Sequence, residues 1–533
     1  MEVDCIPFAK TGYFSTLICD YLATKEALNP FYNRFPTLEN FEAQLKEKSA
    51  NFTTTSRLAL VDALKAQYNS HKVSNSTKEN LNYLKENNTF TVVTGHQLNL
   101  FTGPLYFIYK IVSTVNLTLQ LKKKYPNYNF VPVYWMATED HDFDEINFFN
   151  LNGKKFQWNQ DKKGAVGRLE LNGLEDVFEL LQQELGHVDL AKELAQLFEK
   201  AYLKKDNLTE ATRYLVNSLF GEKGLVIVDG DDKALKSLLV PYIKKDIFEN
   251  TSFNAVNDTI AKLQLASEDY PIQVNPREIN YFYLKDGLRE RLVERDGSFF
   301  VNDTAIQFTK NELLKEIENS PERFSPNVIA RPIYQEVILP NLCYIGGGGE
   351  LAYWLELKTS FEHLGVTFPM LLLRNSVLMV SEKEAKKMEG LDLSFEDLFL
   401  NQNQLINKKI RKISNIDIDF TPQKKLLETQ FESLYKLAKM TDKSFLGAVK
   451  AQEVKQKKGL DNLEKRLLKA QKRKLKDHVV RLSSLQNTLF PNQSLQERQW
   501  NFSQIYLELG DEFIASLFEN LNPLQQEFTI LRY

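Results

Sequence analysis

Cysteine is scarce in this chain. Three residues in 533, Cys5, Cys19 and Cys343, cannot build a disulfide framework, and none belongs to a CxxC pair, so neither an oxidised scaffold nor a thiolate metal knuckle is written here. Long apolar runs are missing too. The longest, around Phe368–Leu373, stops at Arg374, well short of the ~20 residues that span a bilayer. The opening residues Met1, Glu2, Val3 and Asp4 lack the basic stretch and apolar run of a secretory leader. Excess charge of one sign is also missing: 67 Lys plus Arg against 70 Asp plus Glu leave a net charge of −3. That balance argues against bulk electrostatic binding to nucleic acid or anionic membrane, though local patches stay open. The expectation is a soluble, cytoplasmic protein with no nucleic-acid and no membrane partner.

What is present is ordinary globular material. Hydrophobic residues make up 43% and charged residues 26%, enough for a large core. At roughly 100–200 residues per domain, the length suggests three or four structural units. Residues 1–90 read as mostly helical, with apolar residues at helical spacing from Leu58 to Lys65. Short β-branched or apolar runs then alternate with helix-compatible stretches. Phe90–Val93, Phe130–Met136, Leu225–Asp229 and Met370–Leu373 are the strand candidates, and Leu98–Leu121 is a long apolar helix candidate. This alternation predicts an α/β fold with a doubly wound parallel sheet. Interruptions read as insertions. Residues 174–220 are largely helical, and 266–321 look antiparallel, with Asp286 and Gly287 as a hairpin turn between Ile279–Leu284 and Leu288–Val293.

From about Ser381 the composition shifts to Lys, Gln, Glu and Leu. Leu468, Leu475, Leu482 and Leu489 repeat at seven, supported by Leu460, Leu467 and Leu485, with Gln471 and His478 at intervening core positions. That is a coiled-coil pattern. The break at Thr421 and Pro422 and the glycines Gly447 and Gly459 allow more than one helix, and two antiparallel helices are the economical arrangement. Pro491 ends the run. The resulting division is core over 1–150, an insertion over 151–220, core over 221–265, a β-rich insertion over 266–321, core over 322–380, an α-helical antiparallel coiled coil over 381–495, and a C-terminal segment, 496–533, returning to the core.

Three segments could carry chemistry. The first runs from Thr94 through Gly95, His96, Gln97 and Asn99 to Thr102 and Gly103, between a strand and a helix. Its glycines permit close backbone approach, and helix N-termini offer N–H groups to anions, but the Walker spacing is absent. The plain alternative is a turn with helix-capping polar residues. The second is the acidic string Glu139, Asp140, His141, Asp142, Asp144 and Glu145, placed directly after a buried strand. It could orient an amine or serve as general base; a solvated, helix-capping loop is the alternative. The third joins Arg331, Tyr334 and Gln335 to the four glycines Gly346, Gly347, Gly348 and Gly349, then Glu350, Tyr353 and Trp354. A loop of that kind lets a ligand approach the backbone, against a reading as a helix start with aromatic core anchors. A basic helix face, including Lys465, Arg466, Lys469, Lys472, Arg473 and Arg481, reads most simply as the solvated side of the coiled coil.

These residues carry a resemblance. Thr94–Tyr106 looks like the motif TGQQxxLFTGPLY, with His96 where the motif has glutamine. Pro132–Asn147 looks like PVFWxAxEDHDFDEVN. Arg331–Gln335, the glycine loop with Glu350–Trp354, and Leu489–Asn492 with Leu495–Arg498 are also similar. Together they resemble the bacillithiol biosynthesis cysteine ligase family, BshC, across nearly the whole chain. The resemblance implies a Rossmann-like core, a connective-peptide-type insertion and a coiled coil associated with homodimers. It implies the last step of bacillithiol synthesis, in which L-cysteine is added to the amine of glucosaminyl malate through an activated (adenylate or phosphate) carboxyl. ATP is an implied cofactor, with Mg²⁺ only as its counter-ion and no protein metal site.

On this reading Asp140, His141, Asp142 and His96 are the catalytic candidates. Gln97, Asn99, Thr102, Glu139, Asp144, Arg331, Gln335, Glu350, Tyr353 and Trp354 would bind substrate, with Arg331 pairing the malate carboxylates. Thr94, Gly95, His96, Gly103 and Gly346–Gly349 would bind the nucleotide. The competing classes are a non-catalytic coiled-coil scaffold with a degenerate nucleotide pocket, and a metal-assisted hydrolase built on the acidic string. Product formation from glucosaminyl malate, cysteine and ATP separates the ligase from both.

Overall fold

The computed structural model describes residues 1–69 and 71–533, and the chain forms two compact units. The larger holds Met1–Ala9, Tyr13–Leu378 and Gln496–Leu531. The smaller holds Lys10–Gly12, Met379–Leu495, Arg532 and Tyr533.

The centre of the larger unit is a sheet of five parallel strands: β1 (Thr89–His96), β2 (Asn129–Met136), β3 (Val226–Asp229), β4 (Asn341–Gly346) and β5 (Met370–Leu373). Their spatial order is β3–β2–β1–β4–β5. Four correspond to the runs picked out in the sequence. The fifth, β4, lies hidden between the helix Ala330–Ile338 and the glycine loop, where an apolar stretch has no period of its own. Each strand is buried along most of its length on both faces, as parallel strands covered by crossover helices must be. Phe90, Val92, Phe130, Leu342, Ile345, Met370 and Leu372 from the sheet pack with Phe41, Leu45, Leu117 and Leu121 from flanking helices. Truncating one such aromatic to alanine costs about 3–5 kcal/mol.

The chain starts at the central strand β1, winds outward to β3, then returns to the other side at β4. Neighbouring loops therefore leave in opposite directions between β1 and β4, and a crevice at such a reversal is where open α/β sheets bind ligands. The helix after β1, α1 (Tyr106–Lys124), starts later than the apolar run suggests, because Phe101, Thr102 and Gly103 all have positive φ. Helix α2 (Ala330–Ile338) precedes β4, and α3 (Gly348–Leu355) follows it.

Between β3 and β4 lies an antiparallel sheet whose strands Tyr281–Lys285 and Leu288–Arg295 pair with Lys285 opposite Leu288. The turn between them is Asp286 and Gly287, the latter at φ +70°. Residues 174–220 form the helices Leu174–Leu185, Asp189–Phe198 and Leu208–Phe220.

In the smaller unit, α4 (Thr421–Ala438) and α5 (Lys443–Lys474) run antiparallel. The register is read from side-chain pairs. Lys424 meets Asp461 and Glu464, Glu428 meets Lys457, and Tyr435 donates to Glu453. Pro422 sits in the first turn of α4, where its missing N–H costs nothing. Asp442 caps α5 by accepting from the Ser444 and Phe445 amides. Gly447 and Gly459 lie inside α5, so the chain reverses at 439–442 and not at either glycine. The leucine repeat is interrupted at Leu475 (φ −101°, ψ 33°), after which α6 (Lys476–Leu489) buries Leu482, Leu485 and Leu489. Among the described residues no helix is long and apolar enough to cross a membrane.

Candidate active site

The strand ends meet at the β1–β4 reversal. Gly95, next to last in β1, lies opposite Trp135 of β2. A Cβ on Gly95 would lie 3.3 Å from the Tyr344 hydroxyl and 3.7 Å from Arg331 Nη1, so glycine is needed for that close approach. Lys110, on α1 and buried, donates to the Gly95 carbonyl (2.7 Å) and pairs with Glu350 (2.5 Å). Glu350 also accepts from the Tyr344 hydroxyl and the Gly347 amide. Burial alone would raise its carboxyl, but Lys110 and these donors hold it below the ordinary value.

This half of the site is cationic. Arg331 lies by the Trp135 and Tyr344 rings and donates Nη1 to Gln335 (2.9 Å), while its Nη2 is enclosed with no acceptor. Arg374, just after β5, pairs with buried Glu497 (2.7 Å), and its Nε is likewise enclosed and without an acceptor. A Cβ on Gly347 would stand 3.8 Å from that Nε, so the glycine leaves the approach to it open. None of the four glycines has a positive φ; what they provide is space. His96 packs on Tyr106 and Phe107 with its Nε2 enclosed. Burial, then Lys110 and Arg374, push its imidazole well below the ordinary value, so it is neutral. Enclosed guanidinium N–H groups without acceptors are costly, and a carboxylate or phosphate is the ligand that would satisfy them.

The other half is acidic and lies at the ends of β2 and β3. Asp140 accepts from Gln97 (2.9 Å) and from the His141 amide (2.7 Å). Burial works to raise its carboxyl, yet hydrogen bonds from the Gln97 side chain and the His141 amide, with the Arg289 guanidinium nearby, hold it below the ordinary range. Glu139 is buried against Lys236, and burial pushes it up to about 7. Asp229 accepts from Thr138, and Asp231 forms a two-point pair with Arg168. Gln97 joins the halves: it leaves the β1 end and donates to both Asp140 and Glu145 beyond β2.

Several candidate residues have other work. Trp354 is fully buried, stacked on Tyr344 and packed on Phe361 and Phe368, so it anchors the core and cannot touch substrate. Gln335, also fully buried, orients Arg331. The Thr94 hydroxyl donates to the Ile345 carbonyl within the sheet. Asp142 caps the one-turn helix Phe143–Ile146, and Asp144 is exposed in its first turn. Thr102 is buried in the strained turn, and Gly103, at φ +61°, gives that turn its shape. Asn501 pins the turn through the Phe101 and Gly103 carbonyls, and the Leu105 amide donates to Trp500, so that helix start is already closed by chain groups. Asn99 donates to the Glu145 carbonyl.

Sequence reasoning did not single out Lys110, Lys236, Arg168, Arg289, Asp229 or Asp231 as site residues, and it noted Arg374 as the end of an apolar run and, with Asn375 and Ser376, as no more than a faint counterpart of a KMSKS-type nucleotide loop. Lys110 had a signal, being one cation inside an apolar helical run. The others come from separate elements that only the fold brings together.

Comparison with known proteins agrees with this architecture. The family model for the N-terminal Rossmann-like domain of bacillithiol biosynthesis BshC matches residues 1–375, and that for its C-terminal coiled-coil domain matches 377–533. A protein of Flavobacterium johnsoniae named "Putative cysteine ligase BshC" is 58% identical over the full length of both chains. One of the same name from Christiangramia forsetii is 58% identical over 100% of this chain and 99% of its own. A solved structure titled a putative arginyl-tRNA synthetase, from Campylobacter jejuni, overlaps 83% of this chain and 96% of its own at 11% identity, with a TM-score of 0.22. The two domain matches between them take in nearly every residue, and the chain belongs to the bacillithiol biosynthesis BshC family.

Proposed function

We propose that this protein is a cysteine ligase that joins the carboxyl of L-cysteine to the amine of glucosaminyl malate, the closing step of bacillithiol synthesis. One observation carries the reading. A cationic cluster with two enclosed, acceptor-less guanidinium N–H groups and an acidic cluster lie along one edge of the sheet, linked by Gln97. A substrate bearing carboxylates at one end and an ammonium at the other is complementary to that pair.

Arg331 takes the malate carboxylates through its unused Nη2. Asp140, held low by its donors, is the fixed anion that draws in the ammonium. It is a weak base for the same reason, and Glu139, raised to about 7, is the better matched acceptor for the proton that must leave before the amine attacks. His96 and the glycine loop then face the developing acyl oxyanion as neutral donors. The residues present also suit the phosphates of ATP: Arg374 Nε is enclosed without an acceptor, Gly347 leaves the way to it clear, and the first amides of α3 have no intrahelical partner. ATP bound there supplies the activation of the cysteine carboxyl. The helical hairpin joins two copies of the chain, a reading supported by Leu426, Leu437, Met440, Val454 and Leu463, which are exposed in the single chain and checked by sedimentation.

The test is purified protein with glucosaminyl malate and L-cysteine, with and without ATP, followed by mass spectrometry. The amide product is expected only with all components. Asp140→Asn, which removes the anion that draws in the ammonium, raises KM for glucosaminyl malate about tenfold or more with an unchanged circular dichroism spectrum. No product under any combination overturns the reading.

A further inference from the structure

His141 follows Asp140 at the acidic half, with its side chain half exposed. The β-rich insertion reaches it through Arg289 and Phe282. Arg289, on the hairpin strand Leu288–Arg295, lies over the Phe282 ring (4.0 Å to the centroid) and places Nη1 2.6 Å from His141 Nδ1. Its Nε donates to Ser325 Oγ (3.1 Å), and the Phe282 ring also packs against the imidazole (5.5 Å). The guanidinium is thus fixed on three sides.

A guanidinium nitrogen carries only N–H groups and no lone pair it can share. At 2.6 Å it must donate, so Nδ1 must accept. The competing arrangement, Nδ1–H donating to Asp140, spans 3.5 Å and would set two donors against each other. We infer that Arg289 is a positioning residue that fixes His141 as the neutral imidazole with its hydrogen on Nε2, so that His141 meets substrate as a hydrogen-bond donor and never as the base. The inference rests on the ligase reading only for the identity of the substrate. It assigns the antiparallel insertion a direct part in the site, because the tautomer of a residue on the β2 loop is set from the hairpin. It also removes His141 from the set of proton acceptors and leaves the carboxylates.

The first test needs no turnover. In full-length protein labelled with ¹⁵N-histidine, the His141→Gln variant identifies the resonance among the six histidines. The wild-type spectrum is expected to show Nδ1 without hydrogen. In Arg289→Met, Nδ1 is free to turn its hydrogen to Asp140, and the spectrum changes to Nδ1 protonated. Arg289→Lys, which still donates, restores the wild-type form and separates this effect from misfolding. A protonated Nδ1 in the wild type, or one tautomer shared by wild type and Arg289→Met, overturns the inference. The second test is a double-mutant cycle in the ligase assay. Arg289→Met lowers kcat about tenfold when His141 is present and adds nothing in the His141→Gln background. Additive losses overturn the positioning role. If the wild type makes no amide at all, the ligase reading fails while the spectra still decide the tautomer.

Discussion

Glu356 offers a perturbation whose sign and size follow from its surroundings. It closes α3 and is 1% exposed. Its carboxylate accepts from the amides of Gln273 (2.7 Å) and Val274 (3.3 Å). Those amides belong to the irregular segment 267–280, which Tyr270 also ties down by donating to Asp20. The Gln273 side chain comes within 3.9 Å of where a Gly349 Cβ would be, so the segment passes over the glycine loop. Burial raises Glu356 from an ordinary 4.5 to about 7, against the pull of the two amides. A carboxyl raised on burial takes up a proton as the segment seats. Its contribution is therefore complete below the ordinary value and is lost as pH rises through about 7. The shift corresponds to at most about 3 kcal/mol, or a few hundredfold in the opening equilibrium. Hydrogen exchange of residues 271–276 measured from pH 5 to 8 reads it. After correction for intrinsic exchange, the wild type should open more readily toward pH 8. Glu356→Gln keeps an acceptor for Gln273 but cannot ionise, and should lose the trend. Identical pH dependence in the two proteins would refute the reasoning.

Three further outcomes are expected. Arg331→Met should raise KM for the malate-bearing substrate about 10–100-fold, and Arg331→Lys should not restore it, because an ammonium cannot reproduce a planar fork; steady-state kinetics with each variant decide this. Gly347→Ala has an ordinary backbone (φ −77°) but puts a methyl 3.4 Å from Glu350 Oε2 and 3.8 Å from Arg374 Nε. It should leave Tm unchanged while cutting ATP-dependent turnover about tenfold, and a fall in both would mean that the glycine serves the fold. Glu497→Gln leaves the buried Arg374 guanidinium without its counter-charge and should cost about 3–5 kcal/mol, seen as an earlier denaturation midpoint of the larger unit.

The parallel sheet was legible because its strands are buried on both faces and so appear as unbroken β-branched or apolar runs. β4 was the exception, since a six-residue strand set between a helix and a glycine loop has neither length nor period to declare itself. The hairpin was legible from Asp286 and Gly287, whose turn chemistry is local. The leucine repeat pointed to long helices but not to their breaks. Asp442 and the backbone at Leu475 end them, whereas Gly447 and Gly459 sit inside α5, where a surface helix tolerates glycine at about 1 kcal/mol. At the site, the residues adjacent in sequence were visible as strings. Arg289, Lys236 and Arg374 were not, because nothing in its own segment sets each cation apart, and each gains meaning only from a partner far along the chain: His141, Glu139 and Glu497.

On the proposed ligase reading, the charges of the two halves suit one ligand. With Glu139 counted as ionised, Lys110, Arg331 and Arg374 exceed Glu350 and Glu497 by one positive charge. Glu139, Asp140, Glu145, Asp229 and Asp231 exceed Lys236, Arg168 and Arg289 by two negative charges. Neither excess is relieved within its own half, since Arg331 Nη2 and Arg374 Nε are enclosed without acceptors. Moving Asp140 toward Arg331 would neutralise the first excess and halve the second, but Gln97 holds it by Oδ2, and the His141 amide holds it by Oδ1. Internal collapse is thus prevented by neutral hydrogen bonds, which keep two opposite, undersatisfied clusters apart on one rigid sheet edge. Such an arrangement is complementary to a molecule that brings an anion to one end and a cation to the other. On the proposed ligase reading, an amine held at the acidic end gives up its proton to Glu139 before it attacks the activated carboxyl.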